Sequence, residues 1–120
     1  MASGAVVRSD RCPYLQVRFE IRGRVQTVWA YVDTGFEGYL SFPEREALSL
    51  GVPDRSASYR LADGAETFMA VYIGSVELIG LGGRNAAEVL ASGVEYLLGR
   101  QAIDPLRLTF DRGLALIAEA

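Results

Sequence analysis

The stretch Leu15-Gln16-Val17-Arg18-Phe19-Glu20-Ile21-Arg22 alternates strictly between apolar and polar residues, the period of a strand with one face buried. Gly23 supplies a tight turn, and residues 25–32 read as the return strand. There the alternation gives way to a nearly continuous apolar run, which predicts burial on both faces. Residues 39–42 form a further short strand. Pro43 then opens a helical turn over 44–48, and Gly51 stops it. Two β-prone arms, 56–62 and 66–73, are joined through Asp63-Gly64, a strong hairpin signal. Residues 76–81 and 87–91 are two more strands separated by Gly82-Gly83-Arg84-Asn85. A short helix over 98–103 ends at Pro105. Residues 106–110 and 114–118 make a last hairpin turning at Asp111-Arg112-Gly113. Short strands, glycine-containing turns and one or two short helices predict a mostly β chain, folded as a closed or nearly closed β-barrel.

Composition narrows the chemistry more than the fold. At 120 residues and 50% hydrophobic, the chain has the size and apolar content of one globular domain spanning 1–120. The net charge of −3 offers no basic excess to track a phosphate backbone, so nucleic acid is not expected as a partner. No run approaches membrane-spanning length, and residues 1–11 lack the apolar core of a signal peptide. A cytoplasmic protein without a membrane partner is the expectation.

There is no His, which excludes Ser-His and Cys-His nucleophile pairs and His-containing metal sites. All 12 basic residues are Arg, so Schiff-base chemistry and a Gly-Lys phosphate loop are excluded as well. Cys12 stands alone, leaving neither an intrachain disulfide nor a cysteine-rich zinc site. Chemistry in this chain must rest on carboxylates, hydroxyls, Tyr or Arg, with no metal and no cofactor expected. Gly80-Leu81-Gly82-Gly83 has a superficial likeness to a dinucleotide-binding loop, but Asn85 falls where the third glycine belongs. Too little chain follows for the helix, strand and ribose-binding acid that such a site needs.

Val32-Asp33-Thr34-Gly35 occurs once, at the end of the apolar run 25–32. Taken alone, Asp-Thr-Gly has two readings. It is ordinary turn chemistry, with Asp33 capping its own backbone. It is also the way to hold a carboxylate on a tight turn that faces a cleft. A hairpin with a Gly tip follows some thirty residues later, and near the carboxyl end comes Tyr96-Leu97-Leu98-Gly99-Arg100.

This order resembles the retropepsin-like aspartic proteases of clan AA, whose chains run through a catalytic Asp-Thr-Gly, a flap hairpin, then two large hydrophobic residues and a Gly. The resemblance covers roughly residues 15–117, and Phe36 after the Asp-Thr-Gly brings it nearer to bacterial single-domain members than to viral ones. It implies a barrel of the retropepsin-like acid protease type and an aspartic endopeptidase. Asp33 would be the catalytic carboxylate, meeting its own copy in a homodimer and activating water to cleave a peptide or protein substrate. Thr34 and Gly35 would complete the active-site loop, Thr34 by bonding across the dimer axis and Gly35 by letting the backbone approach. Asp63 and Gly64 would form the flap tip, and Leu97, Leu98 and Gly99 would pack beneath the Asp33 loop. Glu37 would pair with Arg100 to fix the loop or the dimer. The terminal segments around Ala5-Val6-Val7 and 114–118 would interleave in the dimer interface. Trp29, Tyr31, Phe36 and Tyr96 read as packing residues. The same fold also accommodates a non-catalytic peptide-binding or dimerisation module, or a β-barrel interaction domain in which Asp-Thr-Gly is incidental.

Overall fold

The structure, a computed structural model, describes residues 4–60 and 63–120. In chain order the elements are β1 (Val6–Ser9), β2 (Tyr14–Ile21), β3 (Arg24–Val32), β4 (Leu40–Phe42), α1 (Glu44–Ala47), β5 (Arg55–Arg60), β6 (Glu66–Leu78), β7 (Asn85–Ala91), β8 (Leu97–Leu98), α2 (Arg100–Ile103), β9 (Arg107–Asp111) and β10 (Ala115–Glu119). The alternation over 15–22 does what its period requires. Leu15, Val17, Phe19 and Ile21 are all 2% exposed or less, while Arg18 and Arg22 face solvent. Pairing of β2 with β3 runs down to Ile21 opposite Arg24, so only Arg22 and Gly23 make the turn. Both take positive φ, 52° and 83°, as a two-residue turn matched to strand twist demands.

The larger sheet runs β2-β3-β8-β4-β7-β6-β5, and an added pairing of β2 with β6 closes it. Six of the described strands therefore form a closed barrel, and β5 continues outward as an arm paired to β6 alone. Phe42 sits in the barrel core against Phe19 and Tyr72, with ring centroids 6.2 and 5.8 Å away. A second sheet, β1-β10-β9, packs fully buried Leu116 and Ala118 onto the same core.

Three expectations need correction. Strand β3 is not buried on both faces: Ala30 and Val32 point inward, but Val25 is 55% exposed and Tyr31 37%. Its pairing to β2 is antiparallel, and such a sheet tolerates one solvated face. On that face Trp29 lies beneath the Arg11 guanidinium, 4.8 Å from the ring centroid. The strands expected at 66–73 and 76–81 are a single strand, β6, which leaves the hairpin and enters the barrel without a break. Gly74 permits this by space rather than by bending, since a Cβ there would overlap the Glu20 carbonyl oxygen of β2. Leu97–Leu98 is strand, and only Arg100–Ile103 is helical. Within the chain the terminal segments pair with each other, Val6 opposite Glu119 and Ser9 opposite Leu116. Among the described residues no helix is long and apolar enough to cross a membrane.

Candidate active site

Strand β3 ends at Val32, whose N–H donates to the Pro13 carbonyl at 3.0 Å, and the next N–H, of Asp33, donates to the Leu98 carbonyl at 3.0 Å. The chain then turns sharply. The Phe36 N–H returns to the Asp33 carbonyl (3.2 Å), and the Gly35 N–H donates to Asp33 Oδ1 (2.9 Å). This is the self-capping turn chemistry an Asp favours. It also fixes the carboxylate, leaving Asp33 half-buried with Thr34 and Gly35 exposed beside it. A side chain at 35 would crowd the same oxygen, since a Cβ there stands 3.3 Å from Asp33 Oδ1. The hydroxyl of Thr34 makes no hydrogen bond among the described residues.

Strand β8 lies beneath this loop. It runs parallel to β3, with Val32 opposite Leu98, and antiparallel to β4, with Leu40 opposite Leu98. Leu98 is fully buried there. Three successive backbone N–H groups then bind the far side of the loop. Gly99 donates to the Tyr39 carbonyl (2.9 Å), Arg100 to that of Phe36 (2.8 Å) and Gln101 to that of Gly38 (3.2 Å). N–H groups at a helix start have no partner within the helix, so α2 spends its own on the segment after Asp-Thr-Gly. Contact is too close for any side chain on residue 99. A Cβ there would overlap the Gly38 carbonyl oxygen and stand 2.7 Å from that of Phe36.

Those backbone bonds replace the ion pair expected between Glu37 and Arg100. Arg100 pairs instead with Asp104 one turn along α2, at 3.4 Å, and Glu37 is exposed with no ion pair among the described residues. A carboxylate four residues along the same helix is the nearer partner, and an exposed pair of this kind contributes little.

The hairpin of β5 and β6 pairs from Arg55 opposite Val71 to Arg60 opposite Glu66. At its turn Asp63 Oδ1 accepts the Ala65 N–H (2.9 Å), and Gly64 takes φ +87°. The expected arm 56–62 ends on residues 61 and 62, which lie outside the described residues. At the base, Asp54 Oδ2 accepts the Ile73 N–H (2.7 Å) and Oδ1 accepts from Arg22 (3.3 Å). The Ile73 N–H above all holds the Asp54 carboxyl below its ordinary range.

Phe36 links the hairpin to the loop. It packs with Met69 against Ala57, Val71 and Leu90, a cluster separate from the barrel core. Its sequence signal was the pair of glycines, 38 and 99, that face its ring. Tyr96 is a different case. Its hydroxyl donates to Glu46, which also accepts from Gln26 at 3.0 Å. Burial, with Glu46 beside it, pushes the Tyr96 hydroxyl up to about 12. It therefore remains a proton donor tying the segment before β8 to α1.

No family model matches the sequence, and neither does any curated protein sequence. Solved structures do match. The solution structure of the simian foamy virus (mac) protease aligns over 76% of this chain and 91% of its own, at 25% identity and a TM-score of 0.53. The crystal structure of a retropepsin-like aspartic protease from Rickettsia conorii aligns over 100% of this chain and 98% of its own, at 17% identity and a TM-score of 0.59. The fold of this chain is retropepsin-like.

Proposed function

We propose that this chain is an aspartic endopeptidase that works as a symmetric homodimer. The observation that carries the reading is the setting of Asp33: one carboxylate per chain, half-exposed, locked by the Gly35 N–H on a turn that β8 and α2 hold from below. A turn built only for structure has no need of that scaffold.

One carboxylate is half of the required chemistry. A two-fold axis brings Asp33 of each protomer to its copy through a self-complementary interface. Two carboxylates a few ångströms apart cannot both ionise cheaply, so the pair holds one proton between them and titrates as a unit. The ionised member takes a proton from water as that water attacks the scissile carbonyl carbon. The protonated member hydrogen-bonds the carbonyl oxygen and supports the charge that develops there. Collapse of the tetrahedral intermediate expels the amine, which leaves with a proton from the pair. The β5–β6 hairpin covers the substrate and excludes water, with Asp63 and Gly64 at its tip. Thr34 braces the paired loops across the axis, and Leu97, Leu98 and Gly99 support each loop from within its own chain.

A pH profile tests this. Initial rates of cleavage of an unfolded protein, followed by mass spectrometry, are expected to pass through a maximum at mildly acidic pH. The acid limb reports loss of the ionised member and the other limb loss of the shared proton. A rate that climbs steadily into alkaline pH would point to a different base and reject the proposal.

A further inference from the structure

We propose that Phe36 is a built-in plug that restricts the substrate beside Asp33 to small side chains such as Gly, Ala or Ser. The inference rests on the peptidase reading and narrows its substrate class. Val71 and Leu90 lie at the hairpin base, in the small cluster apart from the barrel core, yet they are 0% and 1% exposed. Phe36 and Met69 are the partly buried side chains that pack against them. The apolar surface that a bulky substrate side chain would seek is thus already covered by the chain's own ring.

The ring has no room to retreat. A Cβ at residue 38 would stand 2.5 Å from Phe36 Cζ, and one at residue 99 would stand 2.6 Å from Cδ2. Two glycine backbones therefore form the bed on which it rests. The N–H bonds from Gly99, Arg100 and Gln101 to the carbonyls of Tyr39, Phe36 and Gly38 keep that bed rigid. Phe36 itself is only half-buried, so part of its ring stays open three residues from Asp33, beside the hairpin base it packs on. A bulky residue bound there must displace a ring wedged between fixed backbone and hairpin, whereas a small one need not. In a symmetric dimer each side of the scissile bond meets one such ring.

The test uses two peptides that differ only at the residues flanking the scissile bond, which a reduced amide (–CH2–NH–) replaces in both. One carries Ala on both sides of that bond and the other carries Phe. Each is titrated calorimetrically into the wild-type protein, Phe36→Ala and Phe36→Leu. Wild type is expected to bind the Ala peptide about tenfold more tightly than the Phe peptide, and Phe36→Ala to reverse that order by about tenfold. Phe36→Leu, which keeps the cluster filled, is expected to fall between them and carries the comparison if the Ala variant does not fold. An unchanged preference in the variants overturns the plug, as does a wild-type preference for Phe. Cleavage of an unfolded protein by wild type, run alongside, separates the two levels. Cleavage with unchanged preference refutes the plug alone, whereas absence of both cleavage and peptide binding refutes the peptidase reading with it.

Discussion

Asp33→Asn is expected to lower the rate of peptide cleavage by about 10⁴-fold, the scale seen when a member of a catalytic unit loses its charge. Stability and dimerisation are expected to remain as they were. The substitution is nearly isosteric, and the amide oxygen still accepts the Gly35 N–H that now bonds Asp33 Oδ1, so the turn survives. What disappears is a group that can take a proton from water and return one to the leaving amine. Product analysis by mass spectrometry gives the rate, and light scattering gives the assembly. Retained cleavage would remove Asp33 from the mechanism.

Gly99→Ala is the structural counterpart. One methyl group must enter a space where a Cβ already overlaps the Gly38 carbonyl oxygen and stands 2.6 Å from the Phe36 ring. Backbone cannot move aside as a flexible side chain can. The expected cost is about 3 kcal/mol, at the upper end for overpacking a tight site, or roughly a 10 °C fall in melting temperature for a chain of this size. Activity is expected to fall further than stability, because the same segment carries the Leu98 carbonyl that receives the Asp33 N–H. Urea denaturation and kcat measured well below the melting point separate the two effects. Unchanged stability would mean that the loop gives way more easily than its hydrogen bonds imply.

Local sequence signals account for the parts of the fold built from neighbours in the chain. The strict alternation over 15–22, the Gly23 turn and the Asp63-Gly64 turn each encode a hairpin within a few residues, and each formed. Asp-Thr-Gly read as a tight turn from its residue types alone, whereas a supporting role for Leu97-Leu98-Gly99 came only from the family resemblance. The misreadings all concern partners distant in sequence. Residues 66–73 and 76–81 read as two strands, with Gly74 left between them. Its lack of a side chain instead answers to the Glu20 carbonyl of β2 pressed against it. The apolar run over 25–32 did not reveal that one face of β3 would turn outward, with Trp29 beneath an arginine from another loop. Glu37 and Arg100 have opposite charges, but Asp104 lies one helical turn from Arg100 and takes the pairing. Phe36 read as plain packing, and only the placement of the hairpin base beside it revealed what it covers.

The central claim is that two chains make one active centre, and mixing subunits tests it most directly. Wild-type and Asp33→Asn chains are combined at constant total concentration, allowed to exchange, and assayed across the full range of composition. If a working site needs Asp33 from both protomers, activity follows the square of the wild-type fraction and falls to about a quarter at equal mixing. A straight line, with about half the activity at that point, would mean that each chain cleaves on its own.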